Sequence, residues 1–414
     1  MNTDLPAALG GTPVRGTQQY PRWPQWDEAE RAGLNAVLDS GSWWSGDGAY
    51  ATTFARDFAH YHNARFGLAM TNGTHTLEAA MVACEIGEGD EVIVPALTFV
   101  ASAGAVLAVN ATPVIVDIET ETLCIDIDKA EAAITDRTKA ILGVYVAGAP
   151  PDLDRLIELC ARKGIRLIED CAHAHGTVWR GQGAGSFGSF GSFSFQSSKL
   201  MTAGEGGALI CNDETLRARA ESYINCGRSE DGHWYHHPNL GSNLRMTEWQ
   251  GAVLSSQLAR FPSQNSIRNA NAIRLSAALA EIPGLSAQPR DPRMDSQGNY
   301  CFVWHYDRES FAGLSLRSFE LAMEQEGIPL GVSYPSLNTL EVFRTANFGP
   351  RLRNSAPTTD YAALHLPIAE HAATSTVWME HRVLLGTHED VLDVAIAAAR
   401  IQRNAAQLTK LGAT

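Results

Sequence analysis

The sequence predicts an α/β fold: a large, mostly parallel mixed sheet flanked by helices, followed by a smaller C-terminal α+β domain. Three observations predict it. Short apolar, β-rich runs alternate with helical stretches through the first 210 residues or so, the pattern of strand–helix–strand units. The chain has 414 residues, 45% of them hydrophobic, which is enough to bury a large core. Beyond about residue 263 the alternation gives way to a mixed pattern. The expected division is an N-terminal arm over 1–30, a large α/β domain over 31–262 and a small α+β domain over 263–414.

Taken in order, the elements begin with an arm rich in Pro, Gly and Trp, including Pro21-Arg22-Trp23-Pro24-Gln25-Trp26. A helical pattern over 27–38 stops at Ser40-Gly41-Ser42. Residues 77–84 read as helical. Residues 91–95, 113–117, 140–146 and 166–169 read as buried strands, and 98–109, 126–134 and 152–163 as the helices between them. The run 190–195 is again β-rich. Two helices follow, over 249–258 and 263–279, then a strand near 301–306 and helices near 315–325 and 391–408. No period of 20–50 residues recurs, which argues against a repeat protein.

Composition excludes several classes. A formal net charge of −14 argues against a nucleic-acid footprint and against attraction to anionic membranes. The seven cysteines are an odd number with no Cys-x-x-Cys pair, as expected of reduced thiols and not of a disulfide frame or zinc site. The thirteen histidines contain no His-Glu-x-x-His, and no metal is expected. The first fifteen residues lack a basic start followed by an apolar stretch, and no apolar run reaches the ~18 residues of a membrane span, so a cytoplasmic protein is expected.

Lys199 carries the chemistry. It follows an apolar, β-rich stretch and precedes the turn Gly204-Glu205-Gly206-Gly207. A lysine kept partly neutral by burial can form an imine with an aldehyde cofactor. Asp170 ends a predicted strand, where sheet proteins of this kind bind ligands, as does Asp117. A carboxylate there can hold a pyridine nitrogen protonated; alone it would more often be a helix cap or turn residue. Thr71-Asn72-Gly73-Thr74-His75 opens a helix, a place for an anion, with Ser194 able to add a hydroxyl. Phe99 could stack on an aromatic cofactor or simply fill core. Asn243 precedes a helix that it could cap. Arg228, Tyr235 and His236 fall in a polar loop that could meet a substrate or simply be solvated. Gly183-Ala184-Gly185-Ser186-Phe187-Gly188 spells G-x-G-x-x-G, yet leads into a β-rich run instead of a helix, which excludes a dinucleotide site.

Together these residues resemble the DegT/DnrJ/EryC1/StrS family of sugar and cyclitol aminotransferases of fold type I. The resemblance runs from about residue 21 to 399. It is carried by Ser42-Trp43-Trp44-Ser45-Gly46, Thr71–Thr74, Val94–Phe99, Glu169–Gly176, Phe193–Lys199 and Gly204–Gly207. It implies pyridoxal 5′-phosphate (PLP) held as an imine by Lys199, with Asp170 on the ring nitrogen and His173 near the ring hydroxyl. Phe99 would stack on the ring, and Gly73, Thr74 and Ser194 would hold the phosphate. Asn243 would reach the phosphate of a partner subunit, in a homodimer with shared active sites. The nearest members in look are 3-amino-5-hydroxybenzoate synthases, although Gln196-Ser197-Ser198 stands where those usually show Gln-Asn-Gly.

The expected activity is transfer of an amino group from glutamine or glutamate to a ketone on a cyclitol or nucleotide-linked sugar, in antibiotic or other secondary-metabolite biosynthesis. A synthase that dehydrates and aromatises is one alternative, and a non-catalytic regulator or scaffold is another. Dehydratases of the family carry histidine in place of the lysine, which Lys199 opposes.

Overall fold

The computed structural model describes residues 4–229, 232–233, 235–352, 357 and 359–411. In chain order, the first half contains α1 (Glu28–Ser40), α2 (Tyr50–Tyr61), β1 (Phe66–Met70), α3 (Gly73–Ala83), β2 (Glu91–Pro95), α4 (Val100–Ala108), β3 (Thr112–Val116), α5 (Ile127–Ala132), β4 (Thr138–Val144), α6 (Leu153–Lys163) and β5 (Arg166–Asp170). Next come β6 (Val178–Trp179), β7 (Gln182–Gly183), β8 (Phe190–Ser194), β9 (Gly207–Cys211), α7 (Glu214–Ile224) and α8 (Glu248–Ala280). The remainder comprises β10 (Leu285–Ala287), β11 (Met294–Ser296), β12 (Cys301–Tyr306), α9 (Leu316–Gln325), β13 (Leu330–Gly331), α10 (Glu341–Arg344), α11 (Pro367–Ser375), β14 (Thr376–Glu380), α12 (His388–Arg403) and α13 (Ala405–Leu411).

The main sheet has seven strands in the order β1-β9-β8-β5-β4-β2-β3. All its pairings are parallel except the two made by β9. β2 is buried at every position, as befits a strand covered on both faces. A second, antiparallel sheet, β10-β12-β14-β13, carries its own core, in which Trp304, Phe311, Phe319 and Leu384 are fully buried. The mostly parallel sheet and the smaller α+β part are those the sequence predicts.

Local signals set the helix ends. Asp27 accepts from Ala29 N–H while Glu30 reaches back to the Asp27 amide, a reciprocal cap, and Gly41 closes α1 in the left-handed region at φ 69°. Asp152, accepting from the Arg155 amide, and Gly164, at φ 67°, bracket α6. Two readings change. The helices expected over 249–258 and 263–279 are one 33-residue helix, α8, running through Pro262. Proline removes one hydrogen bond and crowds the preceding turn, but α8 is held by packing on both sides of it, through Leu254 and Phe261 before and Leu275 and Leu279 after. The helix expected over 391–408 is two, because Asn404 leaves the helical region at φ −110°, ψ 10° and donates its side-chain amide to Asp4 O.

The arm is pinned to the second core. Buried Arg15 pairs with Asp390 at 2.7 Å and Asp393 at 2.8 Å, and the Tyr20 hydroxyl donates to Asp390 O.

Candidate active site

The carboxyl ends of the parallel strands, with the start of α3, enclose a cleft of about 670 Å³. It is lined by Gly73, Thr74, Phe99, Asp170, His173, Ser194 and Lys199, seven residues from four separate stretches of the sequence. Each has a structural reason to be there. Asp170 is the last residue of β5 and Ser194 the last of β8; Lys199 follows β8 in a tight turn closed by its own amide donating to Gln196 O at 2.8 Å.

The electrostatics favour an amine that can be neutral. Burial lowers Lys199 from 10.5 to about 8, with the Asp170 charge opposing it. Burial raises the proton affinity of Asp170, while bonds donated by the Ser102 hydroxyl at 2.7 Å and the Ala172 amide at 3.2 Å favour its ionised form. Ser102 is bonded in turn to Thr98 at 2.7 Å. Burial and the Lys199 charge hold His173 well below the usual imidazole range, so the ring is neutral. The Tyr300 ring stacks on His173 at 4.0 Å between centroids, and Lys199 Nζ lies 4.2 Å from the centre of the same ring. Tyr334 Oη is 3.1 Å from His173 Nε2. His173 Nδ1 is buried without a hydrogen-bond partner among the described residues.

The anion cradle is the first turn of α3. Asn72 caps it by accepting from the His75 amide at 2.9 Å, and the amides of Gly73 and Thr74 have no intrahelical acceptor. Gly73 is fixed by close approach: a Cβ there would stand 2.7 Å from Ser194 Cβ. A buried amine, a carboxylate beyond a strand end and open amides at a helix start fit a phosphorylated pyridine aldehyde. Phe99, 56% exposed, completes the lining as the residue preceding α4.

Some predicted residues stand elsewhere. Asn243 is exposed and bridged to Asn225 at the end of α7, and it does not line the cleft of its own chain. Arg228 donates to Asn225, and Tyr235 and His236 are exposed; none of the three lines that cleft. Asp117, at a strand end like Asp170, instead accepts from the amides of Ile368 and Ala369 and caps α11. The G-x-G-x-x-G segment wraps a side chain of its own protein: the amides of Gly185, Phe187 and Gly188 donate to the buried Glu169 carboxylate.

Sequence reasoning missed Ser102, Gln196, Glu205, Tyr300 and Tyr334, all lining the cleft. Ser102 had a signal, a hydroxyl one turn beyond Thr98 in an otherwise apolar helix. Tyr300 and Tyr334 come from the neighbourhood of the second sheet and had none. Among the described residues no cluster of His, Cys, Asp and Glu could hold a metal ion, and no helix is long and apolar enough to cross a membrane.

Known proteins share this arrangement. The DegT/DnrJ/EryC1/StrS aminotransferase family matches residues 24–392. The chain is 36% identical to a 3-amino-5-hydroxybenzoate synthase of Amycolatopsis mediterranei, over 94% of this chain and 99% of that one. It is 38% identical to an L-glutamine:2-deoxy-scyllo-inosose aminotransferase of Streptoalloteichus tenebrarius, over 97% and 98%. The crystal structure of a 3-amino-5-hydroxybenzoic acid synthase superposes with a TM-score of 0.85 at 36% identity, over 94% of this chain and 99% of that one. With the family matched across nearly the whole chain, the protein belongs to the DegT/DnrJ/EryC1/StrS family and is a PLP-dependent aminotransferase.

Proposed function

We propose that this cytoplasmic enzyme moves an amino group from L-glutamine or L-glutamate to a ketone on a cyclitol or sugar ring, in the making of a secondary metabolite. The observation that carries the reading is Lys199, buried and lowered to about 8 within the same cleft as Asp170. The cyclitol is favoured by likeness to the inosose aminotransferases.

When bound, the cofactor supplies an aldehyde that takes up the donor's amine and a pyridinium ring that accepts the electrons left by a departing proton. Lys199 is proposed to hold the cofactor and, once released, to take the proton from the donor's α-carbon at Nζ. Asp170, ionised with the help of Ser102, would keep the ring nitrogen protonated. Gly73, Thr74 and Ser194 would bind the phosphate, Phe99 would cover one face of the ring and His173 would sit near its hydroxyl. Tyr300, against both His173 and Lys199, would limit where the freed amine can go.

Arg228, the exposed Tyr235 and His236, and Asn243 are proposed to serve the cleft of a second copy. The active unit would then be a homodimer, with Asn243 reaching the partner's phosphate site.

A second reading has its own support, the 36% identity to a synthase that makes an aromatic amino acid. Both readings are tested by the absorbance of the purified protein with PLP, before and after L-glutamine or L-glutamate, beside Lys199→Ala. Loss of the visible band of the Lys199 imine with a donor, its return on adding 2-deoxy-scyllo-inosose, and a band lost or unresponsive in the variant are the expected result. A bound cofactor whose visible band no amino donor removes, with an amino-dehydroshikimate converted to an aromatic product and water, would support the synthase. A protein that binds no PLP would overturn both.

A further inference from the structure

Outside the lining of the cleft, the structure holds a buried cation with no counter-ion among the described residues. Arg268, in the middle of α8, is 0% exposed. Among the described residues its only hydrogen bond is the one from Nη2 to His381 Nδ1 at 3.4 Å, and its Nε and Nη1 have no partner. Arg15, equally buried, has two carboxylates. Among the described residues no carboxylate offsets Arg268, whose guanidinium carbon lies 5.4 Å from the centre of the Trp23 ring, and burial alone lowers its proton affinity, to about 9. A buried charge left unpaired works against folding, so its presence calls for a role.

The hydrogen bonds around it have a fixed direction. A guanidinium can only donate. His381 Nδ1 must therefore accept, which places the proton of this neutral ring on Nε2. From there it donates to Ser198 O at 3.2 Å. Beside it the Trp23 indole N–H donates to Ser197 O at 3.1 Å, and the Trp23 ring meets His381 edge-on at 4.5 Å. The carbonyls of both residues immediately before Lys199 are thus tied to rings from the N-terminal arm and from the end of β14. On the other side, Gln196 Oε1 accepts from the Ser198 amide at 2.9 Å.

We propose that Arg268 and His381 are positioning residues for Lys199: the guanidinium selects the His381 tautomer whose Nε2–H clamps the Ser197–Ser198 backbone, and so fixes where Nζ stands. The clamp falls on the Ser-Ser step that distinguishes this chain within its motif. The proposal rests on Lys199 being the reacting amine, but the first test reads the backbone without cofactor and is independent of any substrate.

Hydrogen–deuterium exchange of the cofactor-free protein is measured for wild type, His381→Phe and His381→Gln. Glutamine keeps one acceptor and one donor, whereas phenylalanine keeps neither. In His381→Phe the peptide spanning Gln196–Leu200 should exchange at least tenfold faster, with β12 and β14 unchanged; His381→Gln should restore most of the protection. Arg268→Met removes the unpaired charge. It should melt no lower than wild type, yet lose about tenfold or more in the rate of the glutamine half-reaction with less than threefold change in apparent donor affinity. Unchanged exchange in His381→Phe, exchange that rises equally across β12 and β14, or glutamine failing as phenylalanine does would each overturn the proposal. So would an Arg268→Met protein that melts lower and slows only in proportion to its unfolding. Should Arg268→Met not fold, the histidine pair alone decides the matter.

Discussion

The lowered proton affinity of Lys199 has a measurable consequence in the protein without cofactor. Its folded value of about 8 lies below the unfolded 10.5, so between those values the unfolded chain binds more protons and stability rises with pH. The shift corresponds to roughly 3 kcal/mol of preference for the neutral amine. Labelling by an amine-selective acylating reagent, followed by peptide mass spectrometry, should show Lys199 half-maximally reactive near pH 8. A free lysine derivative, N-acetyl-lysine amide, labelled in parallel and titrating at the ordinary 10.5, should approach its maximum only at more alkaline pH. Equal pH profiles for the two would remove the neutral-amine argument. At this scale the sequence was informative where chemistry needs a rare residue in a patterned place, as with Lys199 and Asp170. It was silent for Tyr300 and Tyr334, because a tyrosine brought in from the second sheet leaves no local pattern.

Among elements, the start of α3 carries the sharpest expectation. Gly73→Ala places a methyl group against Ser194, at a spacing of 2.7 Å that the backbone cannot leave unchanged. The change should weaken binding of pyridoxal 5′-phosphate by tenfold or more in a spectral titration, and of pyridoxal much less, since only the phosphate uses the open amides. Equal losses would mean that the helix start does not hold the anion. Strands buried on both faces, β2 and β4, were legible as apolar runs. β1 and β9 were not, because Phe66-Gly67-Leu68-Ala69-Met70 and Gly207-Ala208-Leu209-Ile210-Cys211 are diluted by glycine and alanine, with Ile210 their one β-branched residue. α2 also went unread, although Phe54 and Phe58, one turn apart, anchor it in the core. The two helices expected over 249–258 and 263–279 are one, because packing on both sides of Pro262 keeps α8 continuous.

At the scale of the whole molecule, we propose the division into an arm, a large α/β unit and a small α+β unit as two cores that share one helix. Residues of α8 are buried in both, Leu254 and Phe261 beside the main sheet and Leu275 and Leu279 beneath the second. The arm adds Tyr20 to the second core as well. Calorimetry of the cofactor-free protein should therefore show one cooperative transition, with equal calorimetric and van't Hoff enthalpies for the cooperative unit. Two resolved transitions would mean that the cores melt separately despite the shared helix.

The same helix constrains how the gene can be rearranged. Any cut between codons 248 and 280 leaves each fragment with half a helix and an uncovered apolar seam, so fragments divided there should reassemble poorly. The exposed stretch from Tyr235 to Leu240 offers the gentler place for an insertion, a tag or a new terminus, on the condition that a second copy does not need it. Tolerance to insertion at that loop thus becomes a genetic assay for whether two chains share a cleft.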